Sequence, residues 1–284
     1  MHAHATLATE ADGRGGTRVG VLRSGWPLLL RRTLPSPDAA PAAAWAARTA
    51  DPVRVHLTAG GAAPVGGDHL RLDVSVGPGG ALVLGEVSPT LLLPGPRGER
   101  SRLDVTVRVG AGAALAWLPG PVIAARGCRH RTDVRVSLAA GARLLLREET
   151  LFGRHGERPG ELRQRLRVEA DGRPVHDQEL AVGAPGWDGP AVTAGHRAAG
   201  SLLVADPAGV PAAPGAYGRD AAAMPLPGGT GVLVGALAPD SAALRRLLDA
   251  ALADLTAPAD RGPRDPAAAP LPDQPSSRSP STSR

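Results

Sequence analysis

Residues 64–84 read PVGGDHLRLDVSVGPGGALVL, and the reading of this stretch decides the fold. Leu70, Leu72, Val74 and Val76 alternate with Arg71, Asp73 and Ser75, the period of a half-buried β-strand. Gly77-Pro78-Gly79-Gly80 supplies the positive-φ positions of a tight reversal, and Ala81 to Leu84 continue as a second strand. The unit is predicted to be a β-hairpin. It recurs as LDVTVRVGAGAALAWL from Leu103 and TDVRVSLAAGARLLL from Thr132, so that an Asp-Val pair returns at 73, 104 and 133. No such unit buries its apolar face alone, so the copies are expected to stack or pair on one another. A degenerate fourth copy, LRQRLRVEADGRPVHDQEL from Leu162, carries the strong hairpin signal Asp171-Gly172. Upstream, Val53, Val55 and Leu57 alternate with Arg54 and His56 as a strand leading into the Gly66-Gly67-Asp68 loop.

A helical period appears only near the end. In DSAALRRLLDAALADL, Leu244, Leu247, Leu248, Ala251, Leu252 and Leu255 fall on one face after an Asp240 or Ser241 cap, directly behind the apolar strand 231–237. The expected architecture is therefore mainly β, with repeated β-hairpins stacked in a helical-sheet, β-helix-like body and a C-terminal α-helical element. Glycines 13, 15 and 16 interrupt any pattern in residues 1–16, which read as a flexible leader. Residues 17–256 form one β-rich domain, with an Ala-rich insert at 35–52 around Trp45 expected as a loop or short helix. Residues 257–284 are a Pro/Ala/Ser/Arg tail whose composition predicts disorder.

Composition narrows the function classes. The 284 residues contain no Lys and no Asn, while Ala, Arg, Gly and Pro abound, so Arg stands in for Lys and the basic balance is discounted. The formal charge of +5 is spread among acids, and the chain lacks the basic patches with interleaved aromatics that single-stranded nucleic-acid binders use. No apolar run reaches the roughly 18 residues of a membrane span, and the opening residues lack a secretory h-region. One cysteine, Cys128, leaves no intrachain disulfide framework. These features predict a cytoplasmic protein with neither nucleic-acid nor membrane partners.

Among candidate sites, a nucleophile elbow, a P-loop and a strand-to-helix G-x-G-x-x-G are all missing. Cys128-Arg129-His130 pairs a thiol with an imidazole, but structural zinc usually takes four ligands and a strand-edge pair is the plainer reading. His2 and His4 lie in the leader. Glu148-Glu149 follows the apolar strand 144–146, where paired carboxylates either bind a cation or form a solvated acidic edge. In the Gly66-Gly67-Asp68 loop, the glycines supply unusual dihedrals and Asp68 either caps the turn or faces a polar interior.

Three landmarks in order, GGTRVGVLRSGWPLLLRRTLP from Gly15, VRVHLTAGGAAPVGGDHLRLDVSVGPGGALVL from Val53 and LFGRHGERPGELRQRLRV from Leu151, resemble the urease accessory protein UreD (UreH) family, in a divergent actinobacterial-type form. The resemblance spans residues 16–256 and includes the segment Gly153, Arg154, Gly160 and Glu161. Two stretches depart from the family pattern: Gly85 to Gly95 replaces a Thr/Gln-rich stretch, and Leu118-Pro119-Gly120-Pro121 lacks the expected acid. The resemblance implies a non-catalytic scaffold of helical-sheet form with a C-terminal pair of helices. It further implies binding to the urease apoprotein and to a helical, UreF-type accessory protein that recruits a UreG-type GTPase. No cofactor is tightly bound in this reading, but nickel passes transiently through an internal polar channel, with Asp68 and Glu148 as candidate transit ligands. Other classes are a self-associating β-solenoid, suggested by the repeats, and a small hydrolase, for which Cys128 with His130 or Asp68 with His69 are the available pairs.

Overall fold

The computed structural model describes residues 1–210 and 215–257. Two β-sheets face each other across one apolar layer. The seven-stranded sheet runs, in spatial order, Arg173–Val182, Glu161–Ala170, Arg129–Leu138, Ser101–Val109, His69–Val76, His2–Ala11 and Thr17–Arg23. The eleven-stranded sheet runs Gly215–Ala216, Ala221–Pro225, Gly231–Ala238, Ala198–Ala205, Arg143–Leu151, Ala114–Leu118, Ala81–Glu86, Val53–Ala59 and Leu28–Arg32. Off this path, Val122–Ala124 bridges Arg143–Leu151 to Thr90–Leu92. Helices α1 (Ala40–Ala47) and α2 (Ser241–Thr256) cover the outer face of the eleven-stranded sheet.

The mainly β, stacked body matches the sequence reading, but the pairing inside each repeat does not. The two strands of a unit are in different sheets: His69–Val76 pairs parallel with His2–Ala11 and Ser101–Val109, while Ala81–Glu86 pairs parallel with Val53–Ala59 and Ala114–Leu118. Each Gly-rich turn is thus an arch from one sheet to the other. The cause is visible in the side chains. His69–Val76 alternates buried and partly exposed, whereas Ala81, Leu82, Val83 and Leu84 are all buried. A strand apolar on both faces needs cover on both, which the opposite sheet and the helices supply and a hairpin partner does not. The arches stack closely, with Gly79 N donating to Ala111 O and Gly112 N to Ala140 O at 2.9 Å each. At Gly110 a Cβ would lie 2.7 Å from Pro78 N, so only glycine allows the turns this approach.

The fourth copy is a true hairpin. Glu161–Ala170 and Arg173–Val182 are antiparallel, and Asp171 and Gly172 adopt φ of 50° and 71°, the signature of a type I′ turn.

Residues 1–16 are corrected: they contain the ten-residue strand His2–Ala11, in which Ala5 and Leu7 are fully buried. Its alternation is carried by Ala3, Ala5, Leu7 and Thr9, residues too small for the period to stand out, and the glycines behind it form only the turn into Thr17–Arg23. The insert at 35–52 holds α1, with Trp45 buried against the sheet and the Arg143 guanidinium 4.2 Å from its ring centre. Of the implied C-terminal pair of helices, the described residues contain one, α2, packed beside α1. The tail from residue 258 lies outside the described residues.

Asp240 caps α2 by accepting from Ala243 N at 2.7 Å. The buried stripe is Leu244, Leu248, Ala251, Leu252 and Leu255. Gly200 lets the helix settle on the sheet, since a Cβ there would meet Leu248 Cδ1 at 2.9 Å. Leu248→Asp puts an unpaired carboxylate at a fully buried position, a loss of several kcal/mol. We expect it to abolish soluble expression or the cooperative thermal transition followed by circular dichroism, whereas Leu247→Asp, at a half-buried position on the same helix, retains both.

Candidate interior passage

Strand alternation makes most of the layer between the sheets apolar and one end of it polar. On the eleven-stranded side, Leu144 and Leu146 are followed inward by Glu148 and Thr150, and Leu82 and Leu84 by Glu86. On the seven-stranded side, Ser101, His130, Thr132 and Gln164 occupy the inward positions at that end. A small cavity of about 60 Å³ lies between them, lined by Glu86, Thr90, His130, Thr132, Glu148 and Gln164 among apolar neighbours. Since a water needs roughly 10–15 Å³, the cavity admits a few waters or one partly hydrated ion.

The cavity shares lining residues with two larger openings. Glu148 and Gln164 also line an opening of about 300 Å³ beside Thr193, Gly200 and Ser201. Glu86, Pro119 and Gly120 also line one of about 530 Å³ beside Val87, Ser88 and Arg245. The three spaces make a candidate passage, with Glu148 where the small cavity meets one opening and Glu86 where it meets the other.

The electrostatics of the two carboxylates are unusual. Gln164 Nε2 donates to Glu148 Oε1 at 2.8 Å and Thr150 Oγ1 donates to Gln164 Oε1 at 3.1 Å. Burial raises the Glu148 pKa, offset in part by the Gln164 bond. Burial pushes Glu86 up to about 7, against the smaller opposing effects of Gly120 N and the Thr90 hydroxyl. Among the described residues neither carboxylate has a cationic partner in hydrogen-bonding range. Glu149, one residue on and facing the helices, is held by Arg147 Nε at 3.0 Å and Arg245 Nε at 2.9 Å. The Glu148-Glu149 pair thus divides, one carboxylate in the passage and the other clamping α2.

The remaining candidates have structural partners. Asp68 closes its turn by accepting from Val65 N at 2.9 Å through Oδ2, while Oδ1 lies 3.1 Å from the Met1 ammonium. Gly67 has φ of 90°, and a Cβ on Gly66 would lie 2.3 Å from Gly95 N, so both glycines serve the turn. His130 bonds Ser101 Oγ at 2.7 Å through Nδ1 and Thr132 Oγ1 at 3.0 Å through Nε2, and burial lowers its pKa to about 4. The Cys128 thiol is pushed up to about 11 by burial and lies toward Glu161 O at 3.9 Å, so the pair carries neither a thiolate nor a ring nitrogen aimed at it. The segment Gly153 to Glu161 is a braced loop: Arg154 Nε donates to Glu157 Oε1 at 2.8 Å, and Arg197 Nη2 donates to the carbonyls of Phe152, Arg154 and Glu157. A Cβ at Gly160 would collide with the Cys128 carbonyl, and Glu161 pairs with Arg129 at 3.1 Å. Among the described residues, no three His, Cys, Asp or Glu side chains converge on a point that could hold a metal ion.

Glu86 went unrecognised in the sequence because it lies inside the departing stretch 85–95. The usable signal was its period: Leu82, Leu84, Glu86 repeats the inward rhythm of Leu144, Leu146, Glu148.

Two stacked sheets with a helix-covered back and a polar cavity at one end of the core define a β-sandwich scaffold with no assembled catalytic group among the described residues. Residues 1–268 match the family described as UreD urease accessory protein. The chain is similar to the urease accessory protein UreD of Streptomyces avermitilis, at 44% identity over 90% of this chain and 98% of that one, and to that of Streptomyces coelicolor, at 45% over 90% and 97%. UreD of Frankia alni is 44% identical, over 90% and 93%. The chain belongs to the UreD family of urease accessory proteins, a family of urease maturation. No helix among the described residues is long and apolar enough to cross a membrane.

Glu86 also gives a pH signature. A carboxyl with an unfolded pKa near 4.5 and a folded value of about 7 holds its proton longer in the folded state. Its stabilisation is complete below pH 4.5 and is lost as pH rises through 7. Glu86→Gln stays neutral and escapes this loss. Urea denaturation should find the variant more stable than the parent at pH 8, by up to about 3 kcal/mol, and the difference should vanish toward pH 4.5.

Proposed function

We propose that this protein matures urease as a non-catalytic cytoplasmic scaffold that conducts nickel ions through the passage between its sheets to the urease apoprotein. In this reading it also binds a helical, UreF-type accessory protein that recruits a UreG-type GTPase. The observation that carries the proposal is the pair of carboxylates lining the cavity, Glu86 and Glu148, partly buried and without a cationic partner among the described residues. Such groups are unfavourable in a core unless something compensates them, and a passing divalent cation is the natural compensation. A conduit must release what it binds. Single carboxylates with waters and the neutral oxygens of Gln164, Thr90 and Thr150 hold a divalent ion weakly, whereas a closed His/Cys cage would trap it. Asp68 we assign to its turn, since both of its oxygens are engaged there.

The test is activation of urease apoprotein in vitro by the assembled accessory proteins at limiting nickel. Glu148→Gln is expected to leave the complex intact by size-exclusion chromatography and to slow nickel loading about tenfold, the effect of about 1.4 kcal/mol on a transit barrier. Asp68→Asn keeps most of the turn's geometry and should load at close to the parental rate. Parental rates from both Glu148→Gln and Glu86→Gln would overturn the conduit reading.

A further inference from the structure

Parallel, in-register stacking has a consequence on the outer face of the seven-stranded sheet. Arg102 lies beside Arg131 and Arg131 beside Arg163, while His69 and then His2 continue the row past Arg102. Five adjacent strands therefore present a line of basic residues, one every 4.8 Å or so and about 19 Å long. Like charges directly opposite one another on a sheet are destabilising, so the row needs compensation.

The fold supplies it through shared carboxylates: His69 Nε2 and Arg102 Nε both lie on Asp104, at 3.0 and 2.7 Å. Asp133 is shared by Arg131, Arg135 and Arg167, and Glu161 by Arg100 and Arg129. Each arginine of the row is held at one point: Arg102 Nε to Asp104 at 2.8 Å, Arg131 Nη2 to Asp133 at 3.2 Å and Arg163 Nη1 to Glu179 at 3.1 Å. A guanidinium has five N–H donors, and these side chains are 46%, 42% and 56% exposed. Most of their donors make no hydrogen bond to the protein among the described residues.

We propose that the row through Arg102, Arg131 and Arg163 is a docking surface for the acidic face of a helix in a partner protein. Charge complementarity selects the acid. The spacing selects the helix, because same-face residues on a helix are 5–6 Å apart while those on an extended strand are separated by about 6.6 Å. Nucleic acid fits less well, since no strand of this sheet contains Phe, Trp or Tyr on which bases could stack. The row lies on the outer face, away from the passage, so this inference stands apart from nickel conduction.

The probe is a fluorescein-labelled, alanine-based helical peptide with Glu at every fourth position, titrated with the full chain at 20 and 150 mM NaCl. The parent and a control with three exposed arginines removed elsewhere, Arg14→Ser/Arg173→Ser/Arg246→Ser, should bind alike. Arg102→Ser/Arg131→Ser/Arg163→Ser should bind at least tenfold more weakly and lose most of the salt dependence. The charge-reversed Arg102→Glu/Arg131→Glu/Arg163→Glu should instead take the Lys counterpart of the peptide, which also shows that the face still folds. Equal binding by the row variant and the control would overturn the proposal, as would a single-stranded oligonucleotide that displaces the peptide at lower concentration than the unlabelled peptide does.

Discussion

Everything in this structure depends on return strands that are apolar on both faces. Ala81–Glu86, Ala114–Leu118 and the first half of Arg143–Leu151 expose almost nothing, so each must lie between two covering layers. The seven-stranded sheet is one layer and helices α1 and α2 are the other. With the return strands committed to the middle, their alternating partners form a separate outer sheet. The Gly-rich turns then become stacked arches and every intersheet connection repeats one geometry. Parallel pairing follows, because successive arches enter each sheet in the same direction.

The same constraint explains why polar groups inside are confined to one end. Near the arches the inward positions are Val76, Val109, Leu138 and Leu82, and the layer is closed. At the opposite strand ends the inward positions become Ser101, His130, Gln164, Glu148 and Glu86. There the layer opens into a cavity instead of a packed core. Conduction, as proposed, needs both halves: an apolar half that holds the sheets at fixed separation and a polar half that offers oxygen ligands without a cage. Glu149 and Arg245 belong to the same arrangement, because their ion pair fixes α2 on the outer face of the eleven-stranded sheet.

Membership of the UreD family and the physical reading support one another at particular residues. The family-matched segment Gly153 to Glu161 is a loop braced by Arg197 and packed against Cys128. Gly66 and Gly67 belong to a turn closed by Asp68. These landmarks hold the sandwich together near the passage, and the carboxylates inside it lie on the regular strands between them.

What the sequence determined by itself was local and periodic. The alternation in 69–76, 101–109 and 129–138, the type I′ turn at Asp171-Gly172 and the capped Leu stripe of α2 are decided by backbone preference and side-chain period, so they were legible without coordinates. Only the tertiary structure decided which strands pair, because a Gly-rich reversal serves a hairpin and an arch equally well and the choice rests on what covers the return strand. It alone separated Glu148 from Glu149, engaged both oxygens of Asp68 in a turn and placed Glu86 across a cavity from Gln164. These outcomes depend on where one sheet stands against the other, and contacts between sheets leave no periodic mark along the chain.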